Sequence, residues 1–449
     1  MNDSHSAERT IGLASAVFIL VGYTIGASIF ILPGQLAAEA GPGAFVSYLI
    51  AGAIAAIAGV VGAAIGSAIP VSGSLNVASS QVLAPVVGFM GVWATLVAVA
   101  VAISLVSYGL ADYLAYFVPG IDRFSVAVVA ALGFGLLNLT TIQMAVRLQV
   151  AMTVAFLVIL FGFGVGGVVH ADPALLTPLM PNGFGPVLAA AVPAFFSYAG
   201  MTVITEIGGE IKRPGRTVPL ALLISFVIVA LCYSLVAFAV PALLPWQSLA
   251  GVDAPVASAA RVFLPAWTGG AIAIGAIFAA ATSINAMLLI HSRDVLAMAR
   301  ARAFPAVLGR RNARAVPVGA VALVTGLGVL GTLLGATIRE YAVLAVISVM
   351  LLQVFSGLVV LRLPRALPEE SKRAEFRLGR VGRALFGGLT IASSIVFMVL
   401  GVIDSPRHGI AYLVVLALGI AYYYYRRAAL ARQGHDLDRT LRSGLSAER

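Results

Sequence analysis

The sequence predicts an all-α membrane protein, a bundle of twelve transmembrane helices, and three observations carry that reading. Of 449 residues, 61% are hydrophobic and 10% charged, with a mean hydropathy of +1.03. Soluble domains carry roughly 25% charged residues, so a water-facing globule of this size is excluded. Twelve apolar windows reach the roughly 20 residues that a bilayer crossing needs. They lie at about 11–38, 44–69, 86–117, 124–143, 147–169, 186–209, 219–243, 264–291, 317–337, 341–362, 383–403 and 409–426. Finally, the basic residues fall almost wholly on alternate connections.

Backbone groups in lipid must be satisfied within the segment, so runs of this length read as helices. A membrane barrel would show alternating segments of about ten residues, a pattern the chain lacks. With the N-terminus placed in the cytoplasm, inside segments hold Arg9, Arg147, three basic residues in 212–216, six in 293–314, seven in 362–383 and six in 426–449. These are 24 of the 28 basic residues; Arg123, Arg261, Arg339 and Arg407 stay outside. That asymmetry predicts both termini inside and explains the net charge of +10 without nucleic-acid binding. One cysteine, Cys232, excludes an internal disulfide framework, and the polar start MNDSHSAERT predicts no signal peptide.

Two windows are not uniform helices. The first contains Gly22-Tyr23-Thr24-Ile25-Gly26-Ala27-Ser28-Ile29-Phe30, with two glycines and two hydroxyls at bilayer depth and Pro33 beyond. The sixth carries Pro193 and then Ser197-Tyr198-Ala199-Gly200. Interrupted helices five spans apart are the mark of a transporter built from two inverted repeats. Unwound backbone exposes N–H and C=O groups, and the half-helix ends add partial charges suited to a zwitterion or an ion. In the second window Gly62 and Gly66 lack such a polar interruption and read as helix-packing positions.

At these stretches the chain resembles the amino acid–polyamine–organocation transporter family, the amino-acid branch of the LeuT-type fold. GYTIGASIFILPG is similar to its first-span motif and PVSGSLNVASS to its loop after span two. FFSYAGM with GGEIKRPGRTVPLAL resembles its sixth span and following loop, and SINAMLLIHSRDVLAMARARAFP the end of its eighth span. The matches run in order over about residues 10–425. They imply one polytopic domain over 1–430, with repeats at about 11–169 and 186–362, helices at about 383–426 appended, and a cytoplasmic tail at 431–449. They also imply an amino acid bound between spans 1, 3, 6, 8 and 10. Gly26, Ala27, Ser28 and Ile29 take the place whose amides bind the substrate carboxylate. Ser197, Tyr198, Ala199 and Gly200 take the place whose carbonyls accept the amine. Phe196 falls where the family has an occluding aromatic, or else packs in the core.

By the same resemblance Val99 and Ile103 of span three and Asn285 of span eight face the substrate; Asn285 alternatively ties helices together. The lining is apolar, with no acidic contact position, which disfavours cationic substrates and favours a neutral, small or aliphatic amino acid. The family's span-five lysine is replaced by Phe156, although Arg147-Leu148-Gln149 matches the start of that span. Thr282 and Ser283 match a hydroxyl pair that, with carbonyls of Ala279, Gly22 and Ile25, binds sodium in coupled relatives. Sodium is therefore the expected coupling ion, with no other cofactor; back-bonding of the hydroxyls to their own helix is the competing reading. A proton-coupled symporter and an exchanger are the alternatives.

Glu206 is an ionisable group within a span, read as a structural pair, a gate or a proton carrier. Asp112 reads as interfacial, at the outer end of span three. Glu210, Lys212, Arg213 and Arg216 read as a gate or a solvated cluster, and His291 as meeting water or a carbonyl. The five histidines are scattered, and no H-E-x-x-H, G-x-S-x-G or P-loop pattern occurs, so an enzyme is not expected. Short tails and compact loops suggest a prokaryotic inner membrane. The expected partners are an amino acid and the lipid bilayer.

Overall fold

The structure, a computed structural model, describes residues 11–26, 28–71, 73–139, 142–206, 211–252, 254–265, 267–312 and 316–443; for 142–149, 202 and 206 it describes the backbone alone. Ala27, Glu210 and the side chains of Arg147 and Glu206 therefore lie outside the described residues.

Helices dominate the chain. The first half comprises α1 (Leu13–Ile25), α2 (Ser28–Ala40), α3 (Ala44–Ala68), α4 (Ser74–Val82), α5 (Pro85–Ala115), α6 (Arg123–Leu137) and α7 (Ile142–Val169). The second half comprises α8 (Phe184–Phe196), a 3-10 run at Ala199–Glu206, α9 (Pro214–Leu243), α10 (Pro255–Ala260), α11 (Trp267–Arg300), α12 (Val318–Thr332) and α13 (Ile338–Ala366). Then follow α14 (Pro368–Arg373), α15 (Arg380–Asp404), α16 (Pro406–Ala431) and α17 (Leu437–Arg442). Among the described residues nine helical stretches are long and apolar enough to cross a bilayer, Leu13–Ala68 counting as one. Two further apolar helices, α6 and α12, have 15 residues each. The only β pairing among the described residues is an isolated bridge, Ile11 with Ile211.

The 31-residue α5 is a central post, packed on α4, α6, α11, α12 and α13. Small residues let these helices approach: a methyl at Gly328 of α12 would stand 2.7 Å from Ile103 of α5. Ser104 of α5 donates to the Gly328 carbonyl at 3.0 Å, a cross-helix bond in a setting without competing water. Helices α15 and α16 are peripheral, and their outer faces expose Val381, Leu385, Ile410 and Leu413, as a lipid-facing surface requires. Asp112 is buried and forms an ion pair with the half-exposed Arg123. Arg339 at the start of α13 pairs with both Glu39 and Asp404, tying α2 and α15 together.

Candidate substrate-binding site

Helix α1 stops at Ile25 because Gly26 adopts φ 41°, ψ −168°, a conformation open to glycine. A side chain there would also lie 2.7 Å from Ser283 Oγ. The chain resumes as α2 at Ser28. A helix end leaves carbonyls without intrahelical partners, and here hydroxyls approach three of them in turn. Ser283 Oγ reaches the Tyr23 carbonyl at 3.5 Å, Tyr233 Oη the Thr24 carbonyl at 2.9 Å, and Ser28 Oγ the Ile25 carbonyl at 3.4 Å. The start of α2 leaves amides free in the opposite sense, which suits an anionic group.

The second break begins where α8 ends at Phe196. Ser197 and Tyr198 form a turn, and the chain continues as a 3-10 run rather than an α-helix. Over the six residues from Gly200 to Glu206 this advances about 12 Å instead of about 9 Å. The two breaks touch. A methyl at Gly200 would meet the Tyr23 ring and come within 3.0 Å of Thr24 Cα. Tyr233 of α9 spans both: its hydroxyl also lies 2.8 Å from the Ser197 carbonyl, so one proton serves a carbonyl from each break. Tyr198 stacks edge-on against Tyr233 at 5.0 Å, and Tyr48 stands 6.0 Å from it on the other side.

Between the breaks lies a cavity of about 90 Å³. Of the residues expected at the site, Gly26, Ser28, Val99, Phe196, Ala199, Gly200 and Ser283 line it. Ala98, Ala102, Val106, Val203, Met287, Ala345 and Val349 complete an apolar wall. The remaining expected residues stand elsewhere. Ile29 is buried behind the wall, the Ser197 carbonyl is engaged by Tyr233, and Tyr198 packs away on Tyr233. Ile103 faces Gly328 across the α5–α12 contact. Asn285 accepts from Asn138 Nδ2 at 2.9 Å, which makes it a tie between α11 and α6 instead of a substrate contact. Phe156, at the family's lysine position, is fully buried.

Two of the expected sodium ligands are hydrogen-bonded to one another. Thr282 Oγ1 donates to the Ala279 carbonyl of its own helix at 2.8 Å, while Ser283 reaches Tyr23 and Ser28 reaches Ile25. Gly22, Ile25, Ala279 and Thr282 are absent from the cavity wall. The back-bonded reading of Thr282 is the one this geometry supports.

Four polar residues of the cavity were not assigned to the site from the sequence. Thr24 Oγ1 and Gln353 Oε1 are buried without a hydrogen-bond partner and border the cavity. Tyr23 and His291 also line it and bond to one another, Oη to Nε2, at 3.0 Å. On its other side His291 Nδ1 meets Asp294 Oδ2 at 2.9 Å, so the imidazole finds a carboxylate, not water or a carbonyl. A lone amide in the apolar run VISVMLLQVFSGLVV was the available signal for Gln353. Lys212 and Arg213 close the loop before α9 through backbone: the Lys212 amide donates to the Ile11 carbonyl at 2.9 Å. Glu210, the acidic member of the expected cluster with Lys212, Arg213 and Arg216, lies outside the described residues.

A helical membrane protein with a small central cavity between two touching helix breaks is built as a carrier, and its sequence relatives are transporters rather than enzymes. The amino acid permease family model matches residues 11–423, and the chain belongs to that family, within the amino acid–polyamine–organocation superfamily. It is 29% identical over 325 residues to a branched-chain amino acid permease of Bacillus subtilis (strain 168), covering 68% of this chain and 70% of that protein. It is 28% identical over 386 residues to a vacuolar cationic amino acid transporter of Arabidopsis thaliana, covering 79% of this chain and 63% of the relative. An uncharacterized transporter of Mycobacterium tuberculosis (strain ATCC 25618 / H37Rv) is 32% identical over 299 residues, covering 66% of this chain and 67% of that one.

Proposed function

We propose that this permease carries a neutral, aliphatic amino acid by alternating access. Its α-carboxylate and ammonium would lie between the two breaks, and its side chain against Val99, Ala102, Val106 and Met287. One observation carries the substrate class: among the described residues the cavity wall holds apolar side chains and a few neutral or imidazole groups, with no carboxylate. A cationic side chain would be desolvated there without a partner, which is costly. The likeness to a branched-chain permease supports the same choice over the cationic relatives. In this reading α1 to α7 and α8 to α13 form inverted halves of five crossings each, α15 and α16 are appended, and both termini face the cytoplasm of a prokaryotic cell.

Sodium coupling is the weaker form of this reading, because the Thr282 hydroxyl bonds back to the Ala279 carbonyl of its own helix. Thermal unfolding of the purified protein with isoleucine, alanine or arginine, in sodium or choline chloride, tests both points. A ligand at a hundred times its Kd stabilises the folded state by about 2.7 kcal/mol. Isoleucine is expected to raise the melting temperature equally in both salts, with arginine inert. Stabilisation by arginine above isoleucine would overturn the substrate class, and stabilisation in sodium alone would restore sodium.

A further inference from the structure

The cavity's polar end contains three groups that the transport reading does not by itself use. Asp294 and His291, both on α11, are 7% and 3% exposed, and Tyr23 on α1 is 8% exposed. Together they form an unbroken chain: carboxylate to Nδ1 at 2.9 Å, Nε2 to the tyrosine hydroxyl at 3.0 Å. His291 and Tyr23 border the cavity, whereas Asp294 stands behind them. A buried histidine held by a buried carboxylate has a job beyond packing, since each group is costly to bury alone.

We propose that Asp294, His291 and Tyr23 form a proton-binding site whose occupancy sets the charge of the cavity wall, so that a proton and an amino acid enter together. This rests on the amino acid reading above. The hydrogen bonds define the two states. With neutral imidazole, Nδ1–H donates to Asp294 and Nε2 accepts the Tyr23 proton. When Nε2 gains a proton it becomes the donor, and the Tyr23 hydroxyl proton turns away to another acceptor. Proton uptake therefore adds one positive charge and presents a hydroxyl donor to the cavity. Both changes favour a substrate carboxylate, and by linkage the bound carboxylate favours the proton equally.

Among the charged groups on elements packed against this chain, the side chain of Glu206, on the 3-10 run against α1, lies outside the described residues. Tyr23 is the only titratable side chain on α1. The cavity faces of α5 and α13 offer Thr95 and Gln353, neither of which titrates. Arg293, between His291 and Asp294 in sequence, makes an interaction of its own, and Arg300 ends α11. Helices α10 and α12 carry no charge, Arg123 of α6 pairs with Asp112, and the side chain of Arg147 on α7 lies outside the described residues.

Two measurements on the full-length protein decide the proposal. In detergent, NMR of histidine-labelled protein, with the His291 signal identified by its loss in His291→Gln, should show that signal responding to pH over the range in which the protein stays folded. Adding isoleucine should change that response. A His291 signal that does not change over that range overturns the proton site whatever the substrate. In proteoliposomes, an inward acid gradient should raise isoleucine uptake about tenfold over no gradient. That ratio should fall to about 1 in His291→Gln and be reduced in Asp294→Asn, whereas Tyr23→Phe should keep the titration and lose the ratio. A ratio preserved in His291→Gln overturns the coupling. If no neutral amino acid exchanges at all, the substrate reading fails, while the NMR titration still decides the proton site.

Discussion

Removing one oxygen from Tyr233 should loosen both helix breaks at once. Tyr233→Phe keeps the ring that packs against Tyr48 and Tyr198 but deletes the hydroxyl shared by the Thr24 and Ser197 carbonyls. The side chain is fully buried, so water does not take the vacated position without reorganisation. A hydroxyl has one proton, so the loss is one hydrogen bond's worth, even though two acceptors were served. Interhelical hydrogen bonds within membrane proteins average about 0.6 kcal/mol and reach about 1.7 kcal/mol. If that energy holds the breaks in their binding geometry, isoleucine affinity falls by about 3- to 18-fold, since 1.4 kcal/mol is tenfold. Isothermal titration on purified variant and parent measures the ratio, and melting temperatures without ligand separate a site effect from general destabilisation. An unchanged Kd together with an unchanged melting temperature would refute the claim that this hydroxyl staples the breaks.

Three further substitutions follow from the same geometry. Gly26→Ala places a Cβ at φ 41° and against Ser283 Oγ, at a cost of about 1–3 kcal/mol for the backbone alone; binding should be lost, and Ser283→Ala in the same chain should recover only part of it in a ligand-induced melting assay. Thr282→Ala should leave isoleucine affinity in sodium and in choline within twofold of the parent, because its hydroxyl serves its own helix; a fall in sodium alone would show a cation there. Asn285→Ala should lower the melting temperature with little change in Kd, since its partner is Asn138. A large loss of affinity in that variant would return Asn285 to the site.

The breaks were legible in the sequence because they need residue types that helices avoid. Gly26 marks where α1 stops and Gly200 lies in the 3-10 run that follows α8, and the hydroxyls beside them mark polar backbone at bilayer depth. The apolar wall was legible for Val99 and Phe196 through motif register alone. What failed was rotation about the helix axis: Ile103 is four residues from Val99 yet faces α12, and Asn285 is two from Ser283 yet faces α6. A shift of one or two residues turns a side chain by 100–200°, and an almost uniformly apolar span carries no stripe to fix which way it points. Tyr233 and His291 were illegible for a different reason. Each acts through a partner far away in the chain, 268 positions in the case of Tyr23 and His291.

Those long-range contacts bear on how the cavity opens. Segments on either side of Gly26 belong to the first half of the chain, yet the end of α1 is held by groups from the second: Tyr233 on α9, and Ser283 and His291 on α11. Moving α1 away from α11 breaks the Tyr23–His291 and Tyr23–Ser283 contacts, and at about 0.6 kcal/mol each this costs about 1 kcal/mol. That is within the 1–3 kcal/mol by which a ligand commonly couples two sites. A latch of that size is weak enough for one bound amino acid to release and strong enough to bias the empty protein. Protonation of His291 keeps the Tyr23 contact while reversing its direction, so the proton does not open the latch by itself. In the proposed cycle it changes what the cavity would offer a carboxylate, and release of α1 is left to the substrate bound between the breaks.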